Sequence, residues 1–213
     1  MFQAKRKKYG RLASCCLGLA AGVVMLVGCG PSLSYTVPQE TIQRLPKGSR
    51  RSVFQARTVV TIAVDRKATI RRQKEVIKRD IEKIYQKMEK AKKDGDKHLD
   101  LELTMLDLQV DYLKEKLDHQ ETLQEMADRD LILSKAQFEL AKAKLVKKHS
   151  VAFDGEVSEF EAQLKDIREA ADEFRKEVDS EAAELKTVEE EWLAAKKKYF
   201  SAIGESSKGW WTE

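Results

Sequence analysis

The chain contains few side chains of the types that catalyse reactions or hold metal ions. Its three histidines, His98, His119 and His149, lie on or at the end of one expected helix at separations of 21 and 30 residues, so they cannot converge on one metal ion. The sequence has no Gly-rich phosphate loop, nucleophile elbow, HExxH motif or EF-hand motif. We therefore expect no enzyme activity, no metal and no other cofactor.

The residue best placed for covalent chemistry is Cys29. The other two cysteines, Cys15 and Cys16, precede it, so the rest of the chain can form neither a disulfide nor a cysteine-based metal site. Residues 1–28 hold five basic residues and no acidic one, and an apolar run from Leu12 to Val27 ends just before Cys29. A basic stretch, a short apolar segment and small residues in this order are typical of a secretory signal peptide.

The last four residues of this segment, Leu26-Val27-Gly28-Cys29, resemble the lipobox of bacterial lipoproteins: a branched residue, a tolerant position, a small residue and an obligatory cysteine. The resemblance covers only the leader. It implies that a signal peptidase recognises Leu26, Val27 and Gly28 and removes residues 1–28, and that Cys29 carries the diacylglyceryl and acyl groups that anchor the protein. The alternative is an uncleaved membrane helix, although the 16-residue apolar run is shorter than the ~20 residues that span a bilayer core.

The residue after Cys29 indicates which of the two bacterial membranes would hold the protein. In this family an Asp at that position directs retention in the inner membrane, whereas this chain has Gly30. The resemblance thus implies the outer membrane with the protein facing the periplasm, and the inner membrane is the alternative.

Net charge argues against nucleic-acid binding. The 213 residues include 40 Lys and Arg and 36 Asp and Glu, but five of the basic residues lie in the leader, which leaves 35 basic against 36 acidic residues from Cys29 onward. We expect a nearly neutral body of this kind to present no basic face to phosphates.

Composition and residue spacing predict an all-α protein. The chain is 36% charged with only 10 Gly and 3 Pro, which is typical of long helices and coiled coils. Glycine and proline interrupt helices, and their positions predict helices at about 50–92, 97–148 and 154–203. We divide the chain into a cleaved signal peptide (1–28), a flexible lipid-anchored tether (29–48), a helical domain (49–204) and a tail (205–213).

Heptad patterns in the second and third helices predict an elongated antiparallel three-helix coiled-coil bundle. Facing residues of the last two helices have numbers that add to about 305, so that Leu113 faces Trp192. The first helix is less regular, because residues 58–64 are rich in β-branched side chains and fit a strand. We prefer a helix there, since an apolar residue recurs every seven positions through that run and no second strand is available for pairing.

Polar residues interrupt the predicted seams at one level of the bundle. They are Lys67 and Lys74 in the first helix, Gln120 and Gln124 in the second, and Glu181 in the third. We hypothesise that they form a buried polar layer that fixes the helix register. The alternative is that the lysines extend into solvent and the layer is only a weak point of the packing.

The tail contains the adjacent pair Trp210-Trp211, which predicts contact with a partner or membrane, with folding back onto the bundle as the alternative. The sequence therefore predicts a periplasm-facing, membrane-anchored coiled-coil lipoprotein with a structural or adaptor role, bound to an unidentified envelope protein or to further copies of itself. The alternative is a chaperone-like or transport-linked helical module. Such a module should expose apolar residues at its tips, at 94–96 or at 149–155, where Val151, Ala152 and Phe153 lie.

Overall fold

The computed structural model describes residues 32–204, which form four α-helices and contain no strand. The helices are α1 (Gln39–Gln43), α2 (Lys47–Asp94), α3 (Leu99–Lys148) and α4 (Val157–Ala202). The predicted all-α class is confirmed. The predicted signal peptide, the lipobox with Cys29, and the Trp210-Trp211 tail lie outside the described residues.

The helix α2 begins after Pro46 and ends before Gly95. The backbone N–H groups of Ser49 and Arg50 donate to the carbonyl of Pro46 at 3.0 and 3.3 Å, so α2 begins before Gly48 and not after it as expected. The helix includes residues 58–64, so the helical interpretation of that run is confirmed. It ends at Gly95, whose φ of 64° lies in the left-handed region that suits glycine at a helix end.

The helix α3 is central to the packing. It packs along both α2 and α4, whereas α2 and α4 share almost no backbone contact with each other. The composition of α2 explains this arrangement, because its buried residues recur mostly at intervals of seven, as at Ile70, Ile77 and Ile84, and one such stripe covers a single neighbour.

Contacts run in opposite directions along neighbouring helices. Asp130 of α3 forms ion pairs with Arg66 of α2 and with Arg175 of α4, both at 3.0 Å. Lys144, further along α3, pairs with Glu161, nearer the start of α4, at 2.9 Å. The Lys144–Glu161 and Asp130–Arg175 pairs, which join α3 and α4, have residue numbers that add to 305, the value that the heptads predict.

The segment before α2 does not extend away from the helices as the predicted tether would. Val37, Ile42 and Leu45 are buried, with 3%, 6% and 1% of their surface exposed. They belong to a cluster at the end of the molecule where α3 ends and α4 begins, here called the end cluster, which also contains Val53, Leu140, Ala143, Val146 and Phe160. Burial of these apolar side chains stabilises the docked segment against the conformational entropy of a free linker.

Candidate functional site

The junction between the N-terminal segment and α3 contains a buried ion pair. Glu139 and Lys142, each 7% exposed, pair at 2.6 Å. The Glu139 carboxylate accepts a hydrogen bond from the Val37 N–H at 2.7 Å, and the Lys142 ammonium donates to the Val37 carbonyl at 3.1 Å. The backbone N–H and carbonyl of the buried Val37 are therefore both bonded to charged side chains, which form stronger hydrogen bonds than neutral ones.

A side chain of α4 also binds the N-terminal segment. Gln163, 7% exposed, accepts hydrogen bonds at its Oε1 from the N–H groups of Ser34 and Tyr35 at 2.6 and 2.7 Å. Its Nε2 donates to the Tyr35 carbonyl at 3.2 Å. One amide side chain thus fixes two consecutive residues of the chain that leads back toward Cys29.

Sequence reasoning did not find Glu139, Lys142 or Gln163. Nothing in the one-dimensional pattern distinguishes them from other polar residues of charged helices. Their partners are backbone groups more than 100 positions away, so the role of these three residues becomes visible only in the folded chain.

The five predicted polar-layer residues do not all meet. Lys74 donates to Gln124 at 3.3 Å and pairs with Glu121 at 3.0 Å, while Lys67 pairs with Asp128. No hydrogen bond or ion pair joins either lysine to Glu181 within residues 32–204. These lysines connect α2 to α3 only, because α2 and α4 lie on two different sides of α3.

The remaining residues of the layer lie between α3 and α4. Glu181 lies beside His119, with 3.7 Å between Oε2 and Nδ1. Both of these atoms and Oε1 of Gln120 are buried without a hydrogen-bond partner in the described chain. Burial, and then the negative charges of Asp118, Glu184 and Glu181, raise the pKa of Glu115 above 4.5. Within residues 32–204, this level of the α3–α4 seam therefore contains buried polar atoms without partners and is not a satisfied network.

The opposite end of the molecule has an open groove of ≈ 540 Å³ between α2 and α4. Its lining includes Trp192, Tyr199 and Phe200 of α4 and Met105 of α3. Trp192 stacks on Tyr112 with ring centroids 5.2 Å apart. The groove lies beside the turn at 94–96, one of the two tips expected to expose apolar surface.

The other tip differs from that expectation. Val151 and Phe153 pack against the end cluster, and Ala152 is exposed between them. The packing is close, because a Cβ atom at Gly155 would lie 2.4 Å from the ring of Phe153. The apolar residues of this turn therefore complete the core beneath the N-terminal segment.

The described residues include one hydrogen bond of a catalytic type. The Ser49 hydroxyl and Nε2 of His149 lie 2.7 Å apart. No carboxylate forms a hydrogen bond or ion pair with this histidine within residues 32–204, so the third member of a triad is missing there. The same part of the chain contains no group of three or more His, Cys, Asp or Glu residues that could hold a metal ion.

Charge is distributed unevenly among the helices. The helix α2 has 16 basic and 6 acidic residues, α3 has 8 basic and 11 acidic, and α4 has 8 basic and 13 acidic. The nearly neutral total therefore conceals one basic helix packed on an acidic one.

The fold and the junction define an all-helical protein whose N-terminal segment is fixed to one end of three long packed helices. Within residues 32–204, no helix is both long and apolar enough to cross a bilayer. The chain matches no protein-family model, no curated protein and no solved structure.

Proposed function

We propose that this protein is a bacterial lipoprotein whose antiparallel three-helix coiled coil, here called the rod, is tethered to a membrane through Cys29 and has a structural or adaptor role in the cell envelope. The lipobox-like sequence at Leu26 to Cys29 supports the anchor. The heptad repeats and the opposed direction of the helix contacts support the rod. We place the protein on the periplasmic face of the outer membrane and assign it no enzymatic activity.

The observation that carries the proposal is the docking of the N-terminal segment on the end of the rod. Ser34 and Tyr35 are bonded to Gln163, and Val37 is bonded to Glu139 and Lys142. Ser32 follows Cys29 by three residues, which span at most ~11 Å when fully extended. A lipid on Cys29 would therefore be coupled closely to the rod and not through a long flexible linker.

The test is the intact mass of the detergent-extracted protein, with separation of inner and outer membranes. We expect the mass of residues 29–213 plus lipid in the outer-membrane fraction, and we expect Cys29→Ser to lose the lipid and accumulate unprocessed. The matched control is Cys16→Ser, which changes a leader cysteine outside the lipobox and should leave the mature mass unchanged. A full-length, unlipidated mass for the wild-type chain would refute the proposal.

A second candidate is a chaperone-like or transport-linked module, and the groove beside residues 94–96 favours it. Trp192, Tyr199 and Phe200 give this groove the aromatic lining that is common where proteins bind peptides or partner helices. Burial, followed by the charges of Asp96 and Asp94, raises the pKa of Glu102 at its rim above 4.5. In this version the rod would present the groove at the end opposite the lipid anchor to an envelope protein or a further copy of the chain.

A further inference from the structure

The first half of α2 combines a strong excess of positive charge with exposed apolar side chains. Residues 47–74 contain nine basic residues and a single acidic one, Asp65. Phe54 is 67% exposed and Ile62 is 62% exposed, and Val59 and Val64 are about half exposed. They are close in sequence but are distributed around the exposed sides of the helix, with Ile62 and Val64 on opposite flanks. Several large exposed apolar side chains along one stretch of a helix are a feature of interaction sites in soluble proteins.

Packing within the molecule does not use this surface. Arg66, Lys67 and Lys74 pair with acidic residues of α3, on the inner side of α2. Four other bases of the stretch form no ion pair within residues 32–204, namely Lys47, Arg51, Arg57 and Arg71. We call the exposed side of α2 from Lys47 to Lys74 the basic edge.

The basic edge begins at the end of the rod that holds the N-terminal segment. Ser49 contacts His149 at the end of α3, and Val53 lies in the end cluster with Val37 and Leu45. Under the lipoprotein proposal, on which this inference rests, the basic edge therefore starts next to the membrane that holds the lipid on Cys29. Over 28 residues at ~1.5 Å each it extends for ~42 Å.

We propose that the basic edge lies on an anionic phospholipid surface, so that the rod is held along the membrane and not perpendicular to it. Helices that bind bilayer interfaces have this composition: Arg and Lys interact with lipid phosphates while Phe, Ile and Val enter the boundary of the acyl region. A second copy of the chain is a poorer occupant. The acidic helix α4 would complement the charge, but Leu193 is the one large hydrophobic side chain of α4 among those most exposed in residues 32–204.

The test compares two labelled positions at the same height on opposite sides of the rod. Asp130 pairs with both Arg66 of α2 and Arg175 of α4, so these two arginines lie at the same height along the molecule. Residues 58 and 167, each eight positions earlier in its helix, therefore also lie at one height. Thr58 on the basic edge and Glu169 on α4 are both exposed and within about 3 Å of that height. Each is replaced by cysteine in a full-length Cys15→Ser, Cys16→Ser chain and labelled with a fluorophore.

The acylated proteins are reconstituted in vesicles of phosphatidylethanolamine with 30% phosphatidylglycerol, or with phosphatidylcholine in its place, and quenched by nitroxide lipids. We expect strong quenching of the label at 58 and little at 169 in anionic vesicles, and little at either position in neutral ones. Each basic residue near such a surface contributes roughly fivefold, so R51Q/R57Q/R71Q should shift the docking equilibrium by roughly a hundredfold. The matched control R168Q/K176Q/K186Q removes three exposed bases of α4 and should change nothing.

Failure of the anchor and failure of this inference give different results. A chain that does not float with either vesicle type lacks the anchor, and both proposals fall. A chain that floats but shows equal quenching at 58 and 169 stands upright, which overturns the inference alone. Quenching that persists in neutral vesicles, or in ~1 M salt where the Debye length is ~3 Å, would also overturn it. So would cross-linking between labelled copies at position 58, because α2 would then be covered by a second chain.

Discussion

The buried carboxylate of Glu139 provides the sharpest test of how the N-terminal segment is held. Replacing it by Ala leaves the Lys142 ammonium buried without its partner at 2.6 Å and the Val37 N–H without its acceptor. Removing one member of a buried ion pair costs about 3–5 kcal/mol. The ion pair lies within α3, but the N-terminal segment covers it and the Val37 bond joins that segment to α3. Undocking would return the unpaired Lys142 ammonium to solvent, so this cost should fall on docking of residues 32–46 and not on the three long helices.

Hydrogen exchange measures this local cost. A loss of about 3 kcal/mol increases exchange through local opening roughly a hundredfold. The informative amides are those of Ile42 and Leu45, which bond to Pro38 and Ile42 carbonyls and not to Glu139 itself. We expect both to exchange at least a hundredfold faster in Glu139→Ala, while amides in the middle of α3 keep their wild-type rates.

The matched control is Glu161→Ala. Glu161 also pairs with a lysine of α3, Lys144 at 2.9 Å, but the two side chains are 53% and 56% exposed. Exposed ion pairs contribute about 0–1 kcal/mol, so exchange at Ile42 and Leu45 should change by less than about fivefold. Wild-type exchange of these amides in Glu139→Ala, or equal loosening of all helices, would refute the reasoning.

Two further predictions concern Glu181 and Glu115, where α3 and α4 bring polar groups together. Glu181→Leu removes a buried oxygen without a hydrogen-bond partner, so the unfolding free energy should rise by about 1–3 kcal/mol. A lower denaturant midpoint, or more than one species in sedimentation, would instead support a register-fixing role for this residue. Glu115 has a raised pKa in the folded state, so its charged form opposes folding and stability is gained as pH falls toward 4.5. Glu115→Gln should therefore be more stable than wild type at pH 7, with the difference shrinking toward pH 4.5 in denaturation series at several pH values. Glu89→Gln should be less stable than wild type at pH 7, because a hydrogen bond from Lys92 and the charge of Lys92 lower the pKa of Glu89 in the folded state. This difference should also shrink as the pH falls through that lowered pKa.

Local chemistry made the helices predictable from the sequence. Pro46, Gly95 and Gly155 lie at or beside the ends of the long helices because each restricts or frees the backbone in a way that side chains elsewhere cannot change. The heptad apolar residues also defined the register between α3 and α4, since one face of each helix must be buried against the other. Helix existence, approximate bounds and one pairing were therefore available without coordinates.

Contacts between distant segments were not predictable in the same way. The tether assignment of residues 29–48 relied on three prolines, which do exclude a long helix there but say nothing about docking. Val37, Ile42 and Leu45 are too few to mark a core segment by periodicity, and their partners Glu139 and Gln163 resemble ordinary surface residues. The polar layer was divided for a related reason: seam positions place Lys74 and Glu181 at one level but do not determine which sides of α3 their helices occupy.

The sequence by itself thus determined the all-helical class and the long helices, because capping and periodicity are local properties. The four-residue motif that ends at Cys29 is also local, and the lipid anchor that it predicts remains a proposal. Only the tertiary structure decided that α2 and α4 both pack on α3 and hardly contact each other, and that the N-terminal segment closes one end of the packed helices. Those features depend on which surfaces meet, and residues more than 100 positions apart meet only when the chain has folded.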